Sequence, residues 1–342
     1  MLLGLPMPIL FERLPELHAP LLVFGFLGTL ISLERAVALR ATWPYAAPVF
    51  IAAGAILTLT PLPVGVGKLT VMVGLGIHLL QYRAIWRRQP MTATAVQALG
   101  AGGAVAAALA WSGGVPPSRL VPLFAAFLVL TIAGERLELA RLRSPGLKAE
   151  RMLFALALAF ALAAVMSLTM PTIAVPIAGL VLVLMVSWLL RYDIARTSVQ
   201  QTGLPRFVAA CLLTGYAWLT VAGVGWMLGG AHTEGPLYDA TTHAVFLGFV
   251  ITMVMAHAPI ILPAVLGVQI PYKPVLYVPV ALLQLALLVR VVGGDAWGST
   301  EALRVGGAGA AVAMLAFSAT VVTLSMRARR ASAERSPDHV AA

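Results

Sequence analysis

Stretches of about twenty apolar residues recur along this chain, and about that many are needed for a helix to cross the hydrocarbon core of a bilayer. Short breaks rich in Pro, Gly or Arg separate them. Eleven such stretches lie near 17–40, 44–62, 66–88, 91–112, 119–141, 149–169, 172–192, 204–229, 238–264, 272–292 and 300–326. The expected fold is all-α, a polytopic transmembrane helical bundle of about 11 helices. Composition agrees: 60% of residues are hydrophobic and 11% charged, where a water-soluble domain carries about a quarter charged. No stretch is long and polar enough to form a separate soluble domain. Residues 1–326 therefore read as one transmembrane domain and 327–342 as a disordered cytoplasmic tail.

The formal charge of +10 would suit a nucleic-acid partner if it formed a patch, but the basic residues sit at helix ends. Those reached after odd-numbered spans hold eighteen Lys and Arg, among them Arg83, Arg87, Arg88, Arg136, Arg141 and Arg143. Only Arg13, Lys68, Arg119, Arg290 and Arg304 fall on the other side. Because Lys and Arg collect on the cytoplasmic side, the N-terminus is expected outside and the C-terminus in the cytoplasm. The charge is a topology signal, and nucleic acid is excluded as a partner. Cys211 is the single cysteine, which excludes an internal disulfide, a CxxC metal site and an iron–sulfur cluster. No nucleophile motif, phosphate loop or HExxH occurs. The first seventeen residues lack a basic n-region and a small-residue cleavage site. They fit either an external interfacial segment or the remnant of a twelfth helix removed by a late start codon.

Three stretches resemble one another: HAPLLVFGFLGTLISLERAVALR from His18, RLVPLFAAFLVLTIAGERLELARLR from Arg119 and TTHAVFLGFVITMVMAHAPIILP from Thr241. Aligning Gly25-Phe26 with Ala126-Phe127 and Gly248-Phe249 makes Glu34, Glu135 and His257 equivalent. The pattern implies a three-fold repeat of four-helix units. Matching His18 to His243 instead shifts the glycines by two positions, so the two registers exclude each other. The glycine sets at 100–103 and 306–309 read as sites of close helix approach.

Ionisable groups inside a bilayer are costly and mark candidate sites. Of the six histidines, His339 falls in the tail and His232 in an outer loop. His18 and His243 begin spans one and nine near the outer surface, where two imidazoles from facing helices are suited to be axial ligands of a haem. His257 follows His243 by 14 residues, about 21 Å along a regular helix and within about 40° around it, so both are expected to face one groove. His257 and His78 form a deeper candidate pair. The plainer reading of each imidazole is a hydrogen bond to a nearby carbonyl. Glu34 and Glu135, in ISLERAVALR and IAGERLELAR, are candidates for gating protons or for pairing with a guanidinium at headgroup level. Met253 and Met255 fit a packed or lipid-facing surface at least as well as a copper site.

The run His18-Ala-x-x-x-x-Phe-Gly-Phe resembles the HAxEMxFGF opening of the NnrS family, haem- and copper-associated membrane proteins of the bacterial nitric-oxide response. His243-Ala-x-x-x-Gly248-x-x-x-Thr252-Met253-x-x-Ala256 resembles that family's second signature. Pro20 stands where the family has a second histidine, and HAPIILPAVLG replaces a later family stretch, so the resemblance is to a divergent relative. It implies about twelve spans in a bacterial cytoplasmic (inner) membrane, with haem b or copper held by His18 and His243; His257 and His78, read from their depth in the spans, are the expected second ligand set. The expected role is binding a gas such as nitric oxide, or membrane electron transfer. The rival expectation is a secondary transporter or ion channel using Glu34, Glu135 and His257; a third is a scaffold for copper or oxidase assembly.

Overall fold

The computed structural model describes residues 14–141 and 146–334. Residues 1–13, Arg143, Arg335 and His339 lie outside these, together with the readings attached to them. Every regular element among the described residues is helical. Among the described residues ten helices are long and apolar enough to cross a membrane: α1 (Leu14–Leu39), α3 (Val64–Arg88), α4 (Thr92–Ser112), α5 (Pro117–Ala140), α6 (Leu147–Met166), α7 (Pro171–Tyr192), α8 (Leu204–Gly229), α9 (Pro236–Val265), α10 (Pro274–Ala296) and α11. α11 runs over Thr300–Glu334. The second expected span is the shorter α2, Trp43–Thr58. It stops early because Pro61 and Pro63 follow at once and disfavour helix in the residues before them. α11 continues eight residues into the expected tail, through RARRASAE, whose Ala, Arg and Glu are good helix formers.

Local chemistry sets the ends. Proline occupies the first turn of α5, α7 and α10, where its missing N–H costs nothing. α1 closes on Arg40 in the left-handed region at φ 49, its N–H bonded to the Val37 carbonyl, and α9 closes on Gly267 at φ 66.

The chain divides into two compact units: residues up to Ile194 with Leu219–Thr242, and Ala195–Trp218 with the residues from His243 onward. In the first unit α5 is buried nearly all round, as a helix at the centre of a bundle must be. α2 and α3 cross almost backbone to backbone. A Cβ on Gly54 would stand 2.5 Å from the Val71 nitrogen, and one on Gly67 2.7 Å from the Gly54 carbonyl oxygen. α4 meets α5 in the same way at Gly100, 2.8 Å from the Phe127 carbonyl oxygen. In lipid, such close approach substitutes dispersion contact for the missing hydrophobic drive between helices. The second unit is built around Phe207, Cys211, Met255, Leu283, Ala313 and Phe317. There α11 approaches α10 at Gly306, whose Cβ would lie 2.7 Å from the Ala286 carbonyl oxygen. Both expected glycine sets thus lie at close helix contacts.

Two spans leave α-geometry midway. α1 is π-helical over Leu21–Gly28 and α9 over Ala244–Ile251. The segments coincide in the register that aligns Gly25 with Gly248, and the helix geometry favours that register over the one matching His18 to His243. α5, the third stretch, is α-helical throughout Val121–Ala140. In both π segments the glycine receives a neighbour: a Cβ on Gly25 would sit 2.8 Å from the Ala55 Cβ, and one on Gly248 2.5 Å from the Trp218 Cβ. Thr252 closes the second segment, donating to the Leu247 carbonyl at 3.2 Å and accepting from Gln284 Nε2 at 2.8 Å. Trp218 Nε1 donates to Gln284 Oε1 at 2.7 Å, so three side chains hold the widened turn.

Candidate functional site

The two ER motifs meet in the first unit. Arg35 Nη2 donates to Glu34 Oε1 at 3.0 Å and to Glu135 Oε1 at 2.8 Å. Glu34 and Glu135 each lie five residues before the last residue of their helices, about 7–8 Å along the axis. This is the guanidinium pairing expected of these carboxylates, with one difference: Glu135 reaches past its sequence neighbour Arg136 to the arginine of the other motif. Tyr82 on α3 is 1% exposed. Its hydroxyl lies in the field of Arg35, Glu34 and Glu135 and beside Thr131. Thr131 donates its own proton to the Phe127 carbonyl, and the Tyr82 hydroxyl meets no partner at hydrogen-bond geometry.

His78 sits one turn above Tyr82 on the same face of α3, with ring centroids 5.1 Å apart at 67°. It is fully buried. Gln81 fixes its tautomer. Both protons of the Gln81 amide are used, donated to the Ser32 carbonyl at 3.0 Å and the Pro44 carbonyl at 2.9 Å. The Gln81 oxygen can only accept, so His78 Nδ1 carries the hydrogen of the 2.8 Å bond between them. His78 Nε2 then bears the lone pair, and it has no hydrogen-bond partner. Gln81 and Tyr82 did not stand out in the sequence. Their signal was available, as polar side chains three and four positions after a histidine within an apolar span.

His18 stands at the opposite end of the first unit, exposed, on the wall of a cavity of about 700 Å³ that Glu16, Lys68, Trp111, Ser118 and Tyr238 also line. Its Nδ1 is 2.7 Å from the Pro15 carbonyl oxygen. A carbonyl only accepts, so Nδ1 carries the proton and Nε2 the lone pair. Lys68 donates to the Trp111 carbonyl at 2.9 Å with its ammonium 4.9 Å from the centroid of the same indole. His232, in the loop between α8 and α9, lies by the Gly229 carbonyl at 3.0 Å and lines a smaller cavity of about 190 Å³ with Arg119 and Tyr238.

His243 and His257 belong to the second unit and are half-buried. His257 Nδ1 donates to the Met253 carbonyl at 2.7 Å, the hydrogen bond of the plainer reading. The π segment falls between the two histidines. One wider turn displaces the register by about one residue, or about 100°. The same-groove expectation, which assumed regular winding, is therefore corrected. Met253 and Met255 are buried in the packing, with the Met253 methyl against Gly215. Among the described residues no group of three or more His, Cys, Asp or Glu could hold a bare metal ion.

A family profile described as a Domain of unknown function (DUF8744) matches residues 1–326. No curated protein matches the chain, and no solved structure does.

Proposed function

We propose that this chain, a multi-pass membrane protein that belongs to the DUF8744 family, holds a haem-type cofactor at the outer end of its first span. The observation that carries the reading is His18 on the wall of the 700 Å³ cavity, its Nδ1 proton committed to Pro15 and its Nε2 lone pair available to a metal. The donor chemistry favours a porphyrin over a bare copper ion. A porphyrin supplies four nitrogens of its own and asks for one or two imidazoles, whereas a bare ion needs the cluster of protein donors missing among the described residues. Trp111 offers an aromatic wall, and Lys68 and Tyr238 offer partners for peripheral carboxylates. The resemblance to NnrS proteins suggests His243 as a further ligand position, and the depth of His257 and His78 in their spans suggests those two as others. The group, when bound, would supply gas binding or one-electron transfer, and nitric oxide is the ligand the resemblance suggests. This chain's own part is to orient the His18 ring through Pro15 and to keep the Lys68 ammonium at the cavity.

The test is a reduced-minus-oxidised spectrum of protein purified after expression with adequate haem. A Soret and α-band change is expected, lost or halved in His18→Ala and unchanged in His232→Ala. A featureless spectrum from folded protein would sink the reading.

A further inference from the structure

A cavity of about 190 Å³ opens between the starts of α5 and α7 and the loop that leads into α9, and every residue lining it belongs to the first unit. It would hold about six waters at the roughly 30 Å³ that each takes in the liquid, which is room for one small solute with part of its hydration. Val121, Val175 and Trp226, each no more than 5% exposed, close part of the wall. The lining carries one formal charge, the guanidinium of Arg119, and no carboxylate. Glu234 and Asp239, on the loop and the helix that complete the cavity, do not line it. Arg119 Nη2 donates to the Leu168 carbonyl at 3.0 Å, which fixes the side chain and leaves most of its donor fork open. The counter-charge must therefore come from outside the chain. Hydroxyls reach the cavity from three elements, Ser118 on α5, Thr172 on α7 and Thr233 in the loop. Ser167 and Thr241 line it too, but their protons go to the Ala164 and Leu237 carbonyls, and the His232 Nε2 proton goes to Gly229. α5 and α7 begin at the cavity without a side-chain cap, so the unpaired amides of their first turns add positive potential to that of Arg119.

We propose that this cavity binds a phosphate-type oxyanion, with Arg119 as its cation and Ser118, Thr172 and Thr233 as donors to the remaining oxygens. An arginine fork pairs with two oxygens of such a group at once, and hydroxyls arriving from separate elements suit a tetrahedral anion better than a planar carboxylate. The starts of membrane-crossing helices lie at headgroup level, so the oxyanion has two sources, the phosphodiester of a lipid and free inorganic phosphate. The site is distinct from the His18 cavity, with which it shares only Ser118 and Tyr238, and it is present whether or not a haem is held there.

Thermal unfolding of the full-length protein, delipidated in an uncharged sugar detergent, tests this. It is titrated with sodium phosphate against sodium chloride of equal ionic strength, and separately with phosphatidylglycerol against an uncharged, phosphate-free glucolipid. A saturable rise in the unfolding midpoint is expected; a rise with phosphate identifies the free ion, and a rise with the phospholipid alone identifies its headgroup. In Arg119→Gln the apparent affinity is expected to fall about tenfold or more, through loss of charge-assisted hydrogen bonds. Arg119→Lys, which keeps the charge and gives up the fork, is expected to lose less. If Arg119→Gln does not elute as a monodisperse species, the double variant Ser118→Ala, Thr172→Val carries the test, with a severalfold loss expected. Arg304→Gln, at an exposed arginine paired with Glu301, leaves the titration unchanged. Three results would overturn the proposal: neither phosphate nor phospholipid exceeding its phosphate-free counterpart, an effect undiminished in the Arg119 or hydroxyl variants, or an equal loss in Arg304→Gln, which would mean an unspecific response to surface charge.

Discussion

Arg35 and Glu135 stand one hundred residues apart in the chain and 2.8 Å apart in the fold. The bond joins the C-terminal part of the first span to the central helix of its unit. Removing Arg35 leaves two half-buried carboxylates without their cation, whereas removing Glu135 breaks the bond between the helices and leaves Arg35 with Glu34. Arg35→Ala is expected to cost about 1.5–3 kcal/mol and Glu135→Ala less, since Arg35 keeps Glu34, both read as a lowered midpoint of thermal unfolding in detergent. The double variant is expected to cost less than the sum of the two. Strict additivity would mean that the pair contributes no coupling.

Gly248 meets Trp218 so closely that a methyl group there must move the indole or the widened turn. Gly248→Ala is expected to destabilise by about 1–3 kcal/mol and to change the Trp218 signal in near-ultraviolet circular dichroism. Gly76, with open space around it, is the control. Gly76→Ala is expected to be neutral or mildly stabilising, since alanine is the better helix former.

Thr252→Val deletes a hydroxyl that both donates to Leu247 and accepts from Gln284. The loss of about 1–3 kcal/mol expected for stranding buried polar partners is expected to shrink when Gln284→Leu and Trp218→Phe are added together, because neither the amide nor the indole N–H that donates to it is then left unsatisfied. Denaturation of the two variants side by side shows whether the stabilities converge.

The skew of Lys and Arg predicts that the residue after α3 is cytoplasmic and the loop after α8 is outside. In a Cys211→Ala background, His232→Cys is expected to react with a membrane-impermeant maleimide added to intact cells, and Gln89→Cys only after lysis. The reverse pattern would invert the topology.

Much of this architecture could be read from residue types. The spans announce themselves because a bilayer demands about twenty apolar residues of each, and the prolines and glycines that end them act locally. α2 came out short for an equally local reason, the Pro61–Pro63 pair. The π turns at Leu21–Gly28 and Ala244–Ile251 left no such mark, since accommodating an extra residue per turn depends on what packs against the glycine, Ala55 in one case and Trp218 in the other. The site was legible in part. Glu34 and Glu135 were visible as matched motifs, yet nothing in either motif says that one arginine serves both. The role of Gln81 depends on two carbonyls, Ser32 and Pro44, that are distant in the chain.

The turn at 21–28 also works as a phase shifter. Upstream of it α1 carries His18 beside the 700 Å³ cavity; downstream it presents Arg35 to α5. Deleting one residue within the segment and restoring regular winding would swing everything beyond by about 100°, uncoupling the arginine from Glu135 while leaving the histidine in place. A single backbone irregularity thus lets the two ends of one rod address different neighbours.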